Sequence, residues 1–132
     1  MKSIFLDTSA YSAFKRNHHQ VIDAIKEADH LYVNPVVVGE LLSGFDRGTY
    51  RQQNRRELAL FLQQGVVSVH PITEETSERY SLIYNSLRSH GTPIPSNDMW
   101  IAASVMETGT FLITLDSDFR KLEMIPSLVC ET

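Results

Sequence analysis

Ser3-Ile4-Phe5-Leu6-Asp7-Thr8-Ser9 is an apolar run that ends on an acid and two hydroxyls, and Phe111-Leu112-Ile113-Thr114-Leu115-Asp116 repeats the pattern far along the chain. Short apolar runs bounded by polar residues read as buried strands. An acid placed directly after such a strand faces the crevice outside the carboxyl ends of a parallel sheet, where ligands usually bind. Two acids at two such ends meet if their strands are neighbours.

Working outward, short apolar strands alternate with helical segments, which predicts an α/β fold with a central, mainly parallel sheet of four to five short strands flanked by helices. Strands are expected at 3–6, 30–33, 66–70 and 111–115, with an edge strand at 128–129. Helices are expected at 10–16, 20–28, 35–45, 49–64, 73–90 and 96–108. Pro35 suits the first turn of its helix. Gly65 and Gly109 are expected to stop theirs, and Ser96 to cap the last. Residues 116–121 read as a turn or short helix. A chain of 132 residues is expected to form a single domain over 1–132.

Two more acids stand in apolar surroundings. Glu40 interrupts Val36-Val37-Val38-Gly39-Glu40-Leu41-Leu42, and Asp98 opens Asp98-Met99-Trp100-Ile101-Ala102-Ala103. Burying several ionised carboxylates together is costly unless a cation neutralises them. Hard divalent ions such as Mg²⁺ or Mn²⁺ prefer carboxylate and water oxygens. Asp7, Glu40, Asp98 and Asp116 are therefore a candidate all-carboxylate metal site. Each also has a plainer role: Asp7 as a helix cap, Asp98 as a helix-dipole residue, Asp116 as a turn residue and Glu40 as a surface charge. Thr8, Ser9, Asn97 and Thr114 flank the acids and supply hydroxyls and an amide suited to orienting carboxylates. Asp118 is either a fifth acid at the mouth or a local cap.

The net charge of −4 arises from 12 basic and 16 acidic residues, and the four singled-out acids account for the whole excess. Net charge therefore does not exclude a nucleic-acid substrate. Basic clusters at Lys15-Arg16, at Arg47 with Arg51, Arg55 and Arg56, and at Arg120-Lys121 are candidate phosphate contacts. Arg51 and Arg55, four apart, share a helical face. Tyr11, Phe14 and Trp100 are candidates for base stacking, with core packing favoured for the latter two. The single cysteine, Cys130, excludes an internal disulfide or a cysteine-rich zinc site. No H-x-x-x-H, G-x-S-x-G or G-x-x-x-x-G-K-[ST] motif is present. His18-His19 reads as a solvated loop. No apolar run reaches the roughly 18 residues needed for a membrane span, and the start is too short and too soon acidic for a signal peptide. A cytoplasmic protein is expected.

Four pieces in order carry a family resemblance: Ile4-Phe5-Leu6-Asp7-Thr8-Ser9, Val38-Gly39-Glu40-Leu41, Ile94-Pro95-Ser96-Asn97-Asp98-Met99-Trp100-Ile101-Ala102-Ala103, and Leu112-Ile113-Thr114-Leu115-Asp116-Ser117-Asp118-Phe119. The chain resembles PIN-domain ribonucleases, specifically the VapC toxins of VapBC toxin–antitoxin pairs. The resemblance implies a PIN-like fold with Asp7, Glu40, Asp98 and Asp116 as the acidic quartet. It implies an Mg²⁺- or Mn²⁺-dependent endoribonuclease acting on RNA, with transfer or ribosomal RNA the expected target. It also implies a homodimer and inhibition by a cognate VapB-like antitoxin. Two alternatives compete: a phosphoacceptor signalling domain, with Lys121 as its only late lysine, and a catalytically inactive PIN-fold RNA-binding protein.

Overall fold

The computed structural model describes residues 2–132. Five strands form one parallel sheet in the order β3-β2-β1-β4-β5. They are β1 (Lys2–Leu6), β2 (Ala28–Val33), β3 (Val67–Val69), β4 (Phe111–Thr114) and β5 (Ser127–Val129). Six α-helices flank them: α1 (Thr8–Lys15), α2 (His19–Glu27), α3 (Pro35–Asp46), α4 (Arg51–Leu62), α5 (Glu74–His90) and α6 (Ser96–Thr108). The expected architecture holds, and the sheet is parallel throughout. Among the described residues no helix is long and apolar enough to cross a membrane.

β1 lies at the centre because its tail is wholly apolar: Ile4, Phe5 and Leu6 are all buried. The chain winds from β1 through β2 to β3 on one side, then returns to place β4 on the other. Leu6 pairs with Ile113, so the residues after β1 and β4 emerge side by side. That reversal of winding opens a crevice at the carboxyl ends of the two strands.

Local chemistry sets most boundaries. Pro35 opens α3, and Asn34 caps it by accepting from the Val37 N–H at 3.0 Å. Gly91 and Gly109 end α5 and α6 in the left-handed conformation that glycine adopts without a Cβ clash. Gly65 does not act this way. α4 already ends at Leu62 with Gln63 as its C-cap, and Gly65 has no positive φ. Nor does Ser96 cap α6: it is the first helical residue, and the Pro95 carbonyl receives the Met99 N–H at 3.2 Å. α4 also begins later than expected, because residues 48–50 form a turn. Glu107, near the end of α6, accepts from Thr76 Oγ1 at 2.6 Å and lies 2.9 Å from His70 Nε2. It ties α6 to the start of α5 and to the residue after β3.

Candidate active site

Asp7 leaves β1 and serves as the N-cap of α1, its Oδ1 accepting the Ala10 N–H at 2.8 Å. The capping role and the crevice position coincide. The carboxylate is only 4% exposed. Ser9 Oγ donates to Oδ1 at 2.7 Å, and Thr114 Oγ1 donates to Oδ2 at 2.5 Å. Burial pushes the Asp7 carboxyl above the ordinary carboxylate range against the pull of these three donors, and the charge of Asp116 adds to the rise.

Asp116 leaves β4 next door. Its backbone N–H donates to Thr114 Oγ1 at 2.9 Å, so one buried hydroxyl serves both acids. Its Oδ1 caps the following 3₁₀ turn by accepting the Asp118 N–H at 2.9 Å. Asp98 enters from the first turn of α6, where the helix dipole favours negative charge. Even so, burial and then the charges of Asp116, Asp7 and Glu40 push its carboxyl up to about 7. A shared hydrogen bond with Asp116 acts in the same direction. The other three acids thus all bear on Asp98. Glu40, half-buried on α3, is held by Thr8 Oγ1 at 2.5 Å and by Asn97 Nδ2 at 3.2 Å.

Thr8, Ser9, Asn97 and Thr114 therefore each bond a carboxylate of the group. Asp118 joins the cluster too: single oxygens of Asp98, Asp116 and Asp118 lie within 4.8 Å of one another. Two oxygens opposite each other on one Mg²⁺ stand about 4.2 Å apart, given bonds of about 2.1 Å. The all-oxygen donor set and this spacing fit a hard divalent ion. Zinc, which favours histidine and cysteine ligands, is a poorer fit, for no histidine belongs to the cluster among the described residues and four of the five are bonded elsewhere. His18 contacts the Glu131 carbonyl, His30 contacts Ser68, His70 contacts Glu107, and His90 contacts the Ser86 carbonyl. His18 is the half-buried N-cap residue of α2 and His19 its first residue, not a solvated loop. Asp118 also pairs with Lys121 Nζ at 3.2 Å, so its charge is partly compensated, whereas Asp98 and Asp116 have no cation partner among the described residues.

The expected phosphate contacts fare less uniformly. Lys15 pairs with Glu57 at 3.2 Å, and Arg51 and Arg55 both pair with Asp46. Hydrogen bonding from Arg55 and the two positive charges hold Asp46 down to about 2. Arg16 is exposed at the end of α1. Tyr11 does not stack bases, being a core residue at 2% exposure that packs edge-on against Phe61. Phe14 joins that aromatic group, and Trp100 stacks on Tyr80 at 4.2 Å.

Asn34 is a positioning residue with no sequence signal beyond its place before Pro35. Fully buried, it caps α3 and donates to Ser104 Oγ at 2.9 Å, thereby setting the Glu40 helix against the Asp98 helix. Its capping role is legible from an Asn-Pro step, but its reach to α6 is tertiary.

Comparison with known proteins agrees with this geometry. Residues 4–124 match the PIN domain family. Ribonuclease VapC1 of Rickettsia felis is 30% identical over 127 residues, covering 91% of this chain and 90% of that protein. Ribonuclease VapC4 of Mycobacterium tuberculosis is 30% identical over 90 residues, covering 68% of this chain and 69% of that protein. The fold is similar to VapBC-1 from nontypeable Haemophilus influenzae, at a TM-score of 0.83 and 24% identity over 96% of both chains. It is also similar to DNA-bound VapBC from Salmonella typhimurium, at a TM-score of 0.84 and 18% identity over 98% of this chain and 100% of that one. A family match spanning nearly the whole chain displaces the phosphoacceptor alternative, and the chain belongs to the PIN-domain family, among its VapC ribonucleases.

Proposed function

We propose that this protein is an endoribonuclease toxin that hydrolyses RNA phosphodiesters at Asp7, Glu40, Asp98 and Asp116 with Mg²⁺ or Mn²⁺ bound. The observation that carries this reading is the convergence of Asp98, Asp116 and Asp118 oxygens within 4.8 Å, beside a buried Asp7. Asp7, Asp98 and Asp116 would hold the ion, directly or through water. When bound, it supplies Lewis-acid charge for the phosphate oxygens and lowers the pKa of a bound water. No side chain need act as the nucleophile.

The chain's own residues do the rest. Three donors leave Asp7 a single orientation. The hydroxyl of Thr114 couples that orientation to the backbone of Asp116. Thr8 and Asn97 hold Glu40 in place, suited to orienting an attacking water or holding a second ion. Without a cation, the Asp98 carboxyl, pushed up to about 7, is partly protonated at neutral pH, which relieves repulsion from its neighbouring acids.

Two partners belong to the same proposal. Solved relatives are VapBC complexes, which supports a VapB-like antitoxin for this chain. An acidic cleft is best blocked by a basic side chain, and an arginine can bridge carboxylates with paired hydrogen bonds. A homodimer is the other. The test is brief induction in cells followed by sequencing of RNA 5′ ends, wild type against Asp7→Asn. New ends that appear only with the wild type support cleavage. Identical 5′-end profiles would leave a PIN-fold RNA-binding protein without activity.

A further inference from the structure

Gly39 sits in the interior of α3, where glycine weakens a helix relative to alanine. Two common reasons for a helical glycine fail here. A Cβ at Gly39 would meet nothing within 4 Å, so no neighbouring element requires the space. Its φ is not positive, so no left-handed conformation is needed. Gly39 is instead exposed on the floor of an open groove of about 580 Å³. Val36, Gly39, Glu40, Ser43, Arg47 and Asn97 line it.

The groove runs from Glu40, one of the four acids, to a cation. Glu40, Ser43 and Arg47 recur at helical spacing on one face, which places Arg47 about 10 Å along the axis from Glu40. Arg47 donates to Ser43 Oγ at 3.0 Å and has no carboxylate partner among the described residues. In this it differs from Lys15, Arg51 and Arg55, whose charges face Glu57 and Asp46.

We infer that this groove seats the RNA strand beside the scissile phosphate, with Arg47 binding a neighbouring phosphate and Gly39 giving the backbone room to pass close to α3. The inference rests on the RNA-cleaving function proposed above. Charge complementarity favours this occupant: a polynucleotide carries an anion at every unit, so a strand with one phosphate at the acids offers another within reach of Arg47. Arg47 is a binding residue and takes no part in the chemistry.

The test is steady-state cleavage of a short single-stranded RNA with Mg²⁺ at several salt concentrations, with melting temperature read in parallel. Variants are Arg47→Ala, Gly39→Ala, Gly39→Leu and, as a charge control on α2, Lys26→Ala. Arg47→Ala is expected to raise KM about five- to tenfold with kcat nearly unchanged, and to lower the salt slope by about one, as for one lost phosphate contact. Gly39→Ala is expected to raise the melting temperature. Gly39→Leu should keep the fold yet raise KM, because its side chain enters the groove. Lys26→Ala should match the wild type. Unchanged KM and salt slope in Arg47→Ala, with an active wild type, would overturn the inference. So would Gly39→Leu protein that cleaves RNA normally but resists its antitoxin, since the groove would then seat a polypeptide. A wild type that cuts no RNA would instead sink the proposed function.

Discussion

Thr114 and Asp7 are joined across the central strand pair: the buried Thr114 hydroxyl donates to Asp7 Oδ2 and accepts the Asp116 N–H. Thr114→Val keeps the shape and removes both bonds. It leaves a carboxylate oxygen and an amide with lost partners in a buried place, which costs about 1–3 kcal/mol. Metal affinity should fall about 10- to 100-fold, as for other outer ligand-orienting groups. Thermal melting and a calorimetric Mn²⁺ titration check the two effects. An affinity equal to the wild type would show that Thr114 does not orient the site.

Asn34→Ala removes the α3 cap and the bond to Ser104 together. A lost cap costs about 1 kcal/mol, and the stranded polar partner adds about 1–2 kcal/mol. Because α3 carries Glu40 and α6 carries Asp98, kcat should drop more than KM rises. Urea unfolding and steady-state kinetics on the same preparation separate the effects. A destabilised variant with normal kcat would leave Asn34 a purely structural residue.

Asp98 gives a pH signature. Its carboxyl rises from the ordinary 3.8 to about 7 in the metal-free protein, so the native state holds the proton more tightly than the unfolded chain. The stabilisation is present below the ordinary value and is lost as pH rises through about 7. Asp98→Asn removes this dependence. In EDTA, the variant should gain on the wild type as pH rises across that window. The gain levels off on the order of 1–2 kcal/mol after solvent screening of a half-buried group. Melting curves at successive pH values follow it. A stability difference that stays flat with pH would contradict the assignment.

Added Mg²⁺ or Mn²⁺ should stabilise the fold by ligand linkage, by about 2.7 kcal/mol at a hundredfold excess over Kd, and so raise the melting temperature. Protons compete for the same carboxylates, so the gain should be larger above neutrality than near pH 5.5. The readout is a thermal shift with each ion at both pH values. Equal shifts at the two pH values, or none, would argue against a carboxylate site.

Much of the site is legible because burial and charge conflict locally. Asp7 and Asp116 stand directly after apolar strands, and Glu40 interrupts an apolar helix, so each contradicts its neighbours in the sequence itself. Thr8, Ser9, Asn97 and Thr114 are legible as the polar residues beside those acids. What is not legible is set by contacts between distant segments. The ion pairs of Arg51 and Arg55 depend on Asp46 folding back towards α4. The reach of Asn34 to Ser104 spans α3 and α6. Ser96 and Gly65 misled for a local reason. A serine before a helix and a glycine after one are common signals, but here Pro95 holds the cap position and α4 ends before Gly65 comes into play.

Metal add-back to purified protein reads out whether the acidic quartet hydrolyses RNA with a divalent ion. Cleavage of end-labelled RNA is followed in EDTA, then with Mg²⁺ or Mn²⁺ restored, for the wild type and for folded Asp98→Asn. Metal-dependent catalysis by the quartet requires no cleavage in EDTA, recovery with either ion in the wild type, and loss of most activity in the variant at an unimpaired melting temperature. Full cleavage in excess chelator, or wild-type rates from Asp98→Asn, would contradict it.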